Sequence, residues 1–327
     1  MQQPRRDFLA ALLGSAAAQV LAGQTRSGDM IYRTLGKTGE RVSAIGIGGS
    51  HIGRPSTEQE AIRIIRSAID RGINFMDNCW DYANGKCEQW MGDALRDGYR
   101  QKVFLMTKFD SRTKGGTSKQ IDESLQRLQT DRIDLMQYHE NIRMEDPDRF
   151  FAPNGPLEAL LDAKKAGKIR YIGFTGHKDP VVHLRMLEVA AKYNFHFDTA
   201  QMPINVLDAS FRSFGQEVVP KLTQQGIALL GMKPLASGAI PQNNIANAVE
   251  CLHFALTMPT SVVINGCDSM ERLDQAFEAA RTFKPLTKAQ IDGLVAKTRD
   301  AALSGRYELF KTAARFDGTA QHPDWMA

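Results

Sequence analysis

From Val42 onward, short runs of apolar and β-branched residues alternate with longer stretches whose apolar positions recur at helical spacing. The short runs predict strands at Val42–Gly48, Asn74–Asn78, Val103–Lys108, Ile133–Tyr138, Ile169–Phe174, Thr199–Pro203, Ile227–Met232 and Ser261–Ile264. The longer stretches predict helices such as Glu58–Arg71 and Thr117–Leu128. Ser56 or Thr57 before Glu60, and Thr117 or Ser118 before Ile121, carry side-chain oxygens that can cap helix starts. Gly72 and Gly167 suit helix ends, where a left-handed residue is needed. Eight strands with seven intervening helices predict an α/β chain, a (β/α)8 TIM barrel closed by right-handed crossovers, with a helical tail over Lys288–Ser304.

The 327 residues fit one barrel domain, and 41 basic against 37 acidic residues leave a net charge of +4. No basic run interleaved with aromatics is present to track a nucleic-acid backbone, so nucleic acid is not an expected partner. The first residues differ from the rest. Arg5-Arg6-Asp7-Phe8-Leu9 precede an uncharged Ala- and Leu-rich stretch, Ala10 to Gly23, ending in Val20-Leu21-Ala22. This resembles a twin-arginine export signal, and the stretch is shorter than the ~20 residues a membrane span needs. The division expected is residues 1–29 as signal and polar linker, the linker around Gln24 to Asp29, and 30–327 as the barrel. Export would place the protein in the periplasm or outside the cell, with the export machinery as a partner; an unused signal would leave it cytoplasmic.

Cys79, Cys87, Cys251 and Cys267 have no CxxC spacing, which argues against a zinc or iron–sulfur site. An oxidising compartment would permit a Cys79–Cys87 bridge, with free thiols as the other state.

Active sites of such barrels lie at the C-terminal ends of the strands. There the chain places Asp77, with Tyr82 in the following loop, then Lys108 and His139. Carbonyl reduction needs a proton donor beside a hydride donor, and a tyrosine serving near neutral pH is expected to have its pKa lowered by a neighbouring cation, Lys108. Asp77 would orient the lysine, and His139 would hydrogen-bond the substrate oxygen. Singly, each has a structural alternative: a helix cap, a packed loop aromatic, a solvated strand end, a satisfied core histidine. Four at consecutive strand ends favour chemistry. Gly46, Gly48, Gly49 and Gly53 form a glycine-rich loop without GxGxxG spacing, as consistent with a tight turn as with phosphate binding.

The sequence DNCWDYANGKCEQWMGDAL, with Asp77 and Tyr82 in D-x-x-x-x-Y spacing, together with VFLMTK ending in Lys108, DRIDLMQYH ending in His139 and GKIRYIGFTG, resembles the aldo-keto reductase family from Tyr32 to about Ala280. The resemblance implies a barrel without a Rossmann domain, binding NADP(H) and passing hydride to aldehydes, ketones or sugars, with Tyr82 as the proton donor. Thr175-Gly176 stand where the family usually has Ser-Asn for the nicotinamide carboxamide, so the hydroxyl is kept and the amide is lost, with His177 as a substitute. Gln201 matches the family glutamine, and Met232 replaces a ring-stacking aromatic. Lys233 and Ser237 fall where the pyrophosphate runs. Gly266-Cys267 replace a Lys-Ser pair, with Gly266 able to offer backbone amides, and Ala276 replaces a frequent asparagine. Arg272 falls on the arginine that favours a 2′-phosphate, or is a solvated helix residue, so NADP(H) is favoured and NAD(H) remains open. The alternative function is a nucleotide-binding redox sensor or regulatory barrel with little turnover; isomerisation or aldol chemistry through Lys108 is a third reading.

Overall fold

The computed structural model describes residues 20–327. The arginine pair and most of the apolar stretch expected to form an export signal lie outside the described residues. An antiparallel sheet of β1 (Thr25–Ser27), β2 (Met30–Thr34) and β3 (Arg41–Ser43) comes first. Eight parallel strands then close into a barrel: β4 (Ile45–Ile47), β5 (Phe75–Asp77), β6 (Phe104–Phe109), β7 (Ile133–Tyr138), β8 (Ile169–Thr175), β9 (Thr199–Pro203), β10 (Ala228–Met232) and β11 (Thr260–Asn265). β11 pairs with β4 to complete the ring. Every residue of β6, β7, β9 and β11 is buried, which is why those strands are mainly apolar rather than strictly alternating, with the polar Lys108, Asp134, Gln137 and Gln201 buried among them.

Side chains alternate between the two faces of a strand, and here the alternation separates two cores. Met76, Leu105, Met136 and Val263 join the layer between barrel and helices. Phe75, Phe104, Met106, Leu135, Leu230, Val262 and Ile264 fill the barrel interior, where the rings of Phe75 and Phe104 stack at 5.3 Å. Val42 of β3 and Leu35, just past the end of β2, belong to that interior cluster. The sheet therefore plugs the N-terminal end of the barrel, and Ser43 fixes it there by exchanging hydrogen bonds with Asn74.

Three local expectations change. The run Val42–Gly48 is two strands in two sheets, β3 and β4, joined at Ala44. The stretch read as a polar linker contains β1. The helix expected at Thr117 starts at Lys114, because Thr113 caps it by accepting from Gly116 N at 3.1 Å. Thr57 caps Glu58–Asp70 through Glu60 N, and Gly72 and Gly167 are left-handed, as expected.

Beyond the helix Lys288–Ala302, short helical turns carry the chain across the C-terminal mouth of the barrel. Glu140, just past β7, accepts from the main-chain amides of Gly318 and Thr319, both at 2.7 Å. His177 Nδ1 lies 2.8 Å from Phe310 O, and Arg112 N donates to Met326 O at 2.9 Å. No helix among the described residues is long and apolar enough to cross a membrane.

Candidate functional site

The inward parity that fills the interior continues upward into polar residues. Two positions beyond Phe75 is Asp77; two beyond Met106 is Lys108; Leu135 leads through Gln137 to His139. Met232 follows Leu230, Gly266 follows Ile264, Thr175 ends β8, and Gln201 lies at the middle of β9, paired with Thr175. An apolar floor thus turns into a ring of chemistry at the barrel mouth.

Lys108 is buried and donates to Asp77 Oδ1, to Asn78 O at 2.6 Å and to the Tyr82 hydroxyl at 3.3 Å. Tyr82 comes from the loop after β5, which Asn78 braces by accepting from Cys79 N and donating to Cys87 O. Gly49 packs beneath this loop so tightly that a Cβ there would stand 2.3 Å from Asp77 O, which accounts for one glycine of the first loop. The rings of Tyr82 and His139 meet edge to face at 5.9 Å. The four sequence-predicted residues are therefore brought together.

The expected lowering of the tyrosine does not occur. Burial first, then the negative charge of Asp77, Cys79, Asp81 and Asp110, hold Tyr82 well above its usual value. The Lys108 charge is already engaged by Asp77, so the resting phenol stays protonated.

His139 has partners that sequence reading did not single out. Its Nδ1 lies 2.8 Å from Asp110 Oδ1, 3.2 Å from Cys79 Sγ and 3.7 Å from Asp81 Oδ1. Burial opposes its charge, but Asp110 and Asp81 outweigh that and raise it. Burial and the Asp110 carboxylate push Asp81 up to about 7. The available signal was the same parity: Cys79 stands two residues past Asp77, and Asp110 two past Lys108. All four cysteines are buried free thiols, and Cys79 and Cys87 do not pair.

At the expected cofactor shell, Thr175 and Gln201 are buried. Gln201 donates to Asp77 Oδ2 at 3.3 Å, while its Oε1 has no partner. Gly176 can carry no side chain, because a Cβ would stand 2.3 Å from Asn141 O. His177 does not replace the missing amide. It turns toward the tail, with Nδ1 on Phe310 O and Nε2 4.0 Å from Glu140. Beside Gly176 stands the main chain of Asn141, whose buried side chain donates from Nδ2 to Val182 O at 3.3 Å and leaves Oδ1 without a partner.

Met232 packs on the interior cluster. Lys233 faces no carboxylate within ion-pair distance among the described residues, and its ammonium lies 5.3 Å from the Phe310 ring centroid. Burial and Lys108 lower it to about 8. Lys233, Ala236 and Ser237 all have positive φ, a cluster of left-handed non-glycine residues of the kind held at binding sites. Gly266 lies under the His51 ring, which occupies the place of a Cβ at 2.4 Å. Arg272 is exposed on the first turn of Met270–Thr282, and its guanidinium contacts Gln275 at 3.4 Å.

The sequence pattern of the aldo/keto reductase family matches residues 44–251. An aldo-keto reductase of Alternaria alternata is 29% identical over 254 residues, covering 64% of this chain and 66% of that protein. The L-galactose dehydrogenase of Arabidopsis thaliana is 30% identical over 229 residues, covering 64% and 67% respectively. The chain thus spans about two thirds of the length of these curated relatives. The holo form of an aldo-keto reductase of Bacillus halodurans shares the fold, with a TM-score of 0.69 at 24% identity over 85% of this chain and 99% of that one. Barrel and relatives define the class of NAD(P)H-dependent carbonyl oxidoreductases. The chain belongs to the aldo/keto reductase family.

Proposed function

We propose that the protein reduces aldehyde, ketone or sugar carbonyls with NADPH, Tyr82 giving the proton. The observation that carries this is Lys108 donating to the Tyr82 hydroxyl while Asp77 holds its charge. The bound nicotinamide supplies the hydride. Tyr82 keeps its proton at Oη until negative charge develops on the carbonyl oxygen; Lys108, already donating to that Oη, stabilises the phenolate left behind. His139 Nε2 makes no hydrogen bond among the described residues and is free to orient the carbonyl. A sugar substrate is favoured by the name of the Arabidopsis relative.

The shell fits a nicotinamide dinucleotide. The partnerless Gln201 Oε1 is an acceptor suited to a carboxamide NH2, with Thr175 paired beside it on β8. Met232 offers a thioether surface to the ring. Lys233 and Ser237 would hold the pyrophosphate, with the amide of Gly266 nearby, and Arg272 the 2′-phosphate that favours NADPH over NADH. Protein-fluorescence titration with each cofactor, followed by a carbonyl panel, tests the reading. Binding with turnover supports a reductase; tight binding with no turnover of any carbonyl supports the sensor.

We further propose that the Arg5–Arg6 leader exports the folded chain with its cofactor bound, since NADPH is made in the cytoplasm. Cell fractionation of the natural chain against an Arg5→Lys/Arg6→Lys variant checks this, and equal cytoplasmic retention of both removes the export reading.

A further inference from the structure

Around His139, three acidic side chains gather at one buried point with no lysine or arginine among them. Cys79 and Asp81 come from the loop after β5, Asp110 from the end of β6 and His139 from the end of β7. One donor atom from each lies within 4.8 Å of all the others. From His139 Nδ1, Asp110 Oδ1 is at 2.8 Å, Cys79 Sγ at 3.2 Å and Asp81 Oδ1 at 3.7 Å.

Asp110 is fully buried, and its Oδ2 has no hydrogen-bond partner. Asp81 Oδ1 is also unpartnered. Among the described residues no lysine or arginine lies within ion-pair distance of either carboxylate. Lys108 is paired with Asp77, and Arg112 gives its donors to the Asp146 carboxylate and to the main-chain oxygens of Asp110, His139 and Glu140. A buried carboxylate oxygen without a hydrogen-bond partner is costly, the more so when charged. A compensating cation at this point removes that cost.

One thiol sulfur, one imidazole nitrogen and two carboxylate oxygens form the donor set of a four-coordinate zinc-type ion. Bonds of about 2.0–2.3 Å in a tetrahedron put ligand atoms about 3.3–3.8 Å apart. The separations around His139 reach from hydrogen-bond length to that range. The absence of CxxC spacing does not bear on such a centre, because its ligands come from three strand ends and meet only in the barrel.

We propose that Cys79, Asp81, Asp110 and His139 bind one divalent cation of the Zn2+ type. Binding releases the Cys79 thiol proton to solvent and ties Asp81, Asp110 and His139 into one rigid unit. Coordination through Nδ1 leaves the imidazole proton on Nε2, the tautomer that donates to a carbonyl oxygen. That last consequence rests on the reductase reading; the binding of the cation does not.

The test uses the full chain stripped with EDTA and titrated with Co2+, read by absorption rather than by turnover. The expected result is saturation at one equivalent, with intense tetrahedral d–d bands and a thiolate-to-cobalt charge-transfer band that added Zn2+ displaces. Cys79→Ser abolishes the charge-transfer band, whereas Cys251→Ser, a thiol on the helix Ala248–Thr257, keeps it. If Cys79→Ser does not fold, Asp110→Asn carries the comparison, with Co2+ affinity lowered by about tenfold or more. An unmodified chain that shows no saturable band, or an octahedral spectrum without a thiolate component, overturns the proposal, as does a band that survives Cys79→Ser. A metal-free cluster held by hydrogen bonds then remains, whether or not the chain reduces carbonyls.

Discussion

The Lys108 ammonium lies 3.3 Å from the Tyr82 hydroxyl. Because Asp77 holds the same ammonium, Lys108 does not draw the proton off Tyr82 in the resting site. It stands ready for the charge that appears once the proton has left. A phenol raised by burial and neighbouring carboxylates and a cation already in contact make a proton donor that ionises only when a carbonyl oxygen takes the proton.

Arg272→Ala is expected to weaken NADPH binding by about tenfold to a hundredfold, the loss of charge-assisted hydrogen bonds to one phosphate, and to leave NADH within about twofold. Fluorescence titration of both cofactors measures this. Equal losses for both would show that Arg272 is only a solvated helix residue.

Lys233 carries a stability penalty. Its folded pKa of about 8 lies below the ordinary lysine value of ~10.4, so folding disfavours the charged form. That penalty is full below about pH 8 and fades as pH rises toward the unfolded value. Lys233→Met should therefore raise the melting midpoint of the cofactor-free chain by roughly 2–4 °C at about pH 7, by less at about pH 10, and should weaken NADPH binding. Destabilisation at both pH values contradicts the assignment.

Glu140 anchors the C-terminal tail. Burial works against its charge, but His177, His139 and Thr319 more than offset that and hold its carboxyl well below the usual range. The anchor is complete above the ordinary carboxylate value of ~4.3 and is lost only as pH falls toward the folded value. Glu140→Gln can satisfy fewer of the donors at Gly318 and Thr319. Hydrogen exchange at those amides should accelerate and the melting midpoint fall by roughly 4–8 °C, whereas in the unmodified chain both amides stay protected from about pH 6 to pH 4. Unchanged exchange in the variant would show that other contacts hold the tail.

The barrel was legible because parallel strands buried on both faces leave short runs that are mainly apolar; Ile133–Tyr138 and Thr199–Pro203 coincide with their predicted bounds. An apolar run cannot show that a chain changes sheets, so Val42–Gly48 concealed the step at Ala44. The tail was legible only as the helix Lys288–Ala302, since the remaining turns owe their order to contacts with Glu140, His177 and Arg112. The quartet was legible from residue type at strand ends. Its electrostatics were not, because the sign of the Tyr82 shift depends on burial and on the Asp110 and Asp81 carboxylates around it. Asn141 was hidden for a similar reason: its proximity to Gly176 is set by the packing of the segments after β7 and β8.

The most direct test of proton donation by Tyr82 is NADPH oxidation, followed by absorbance, in the unmodified chain and in Tyr82→Phe with an aldehyde or aldose substrate. The expected result is turnover in the former and a loss of about a hundredfold to ten-thousandfold in kcat in the latter, with NADPH affinity unchanged within about twofold. Turnover by Tyr82→Phe at the unmodified rate would contradict the mechanism.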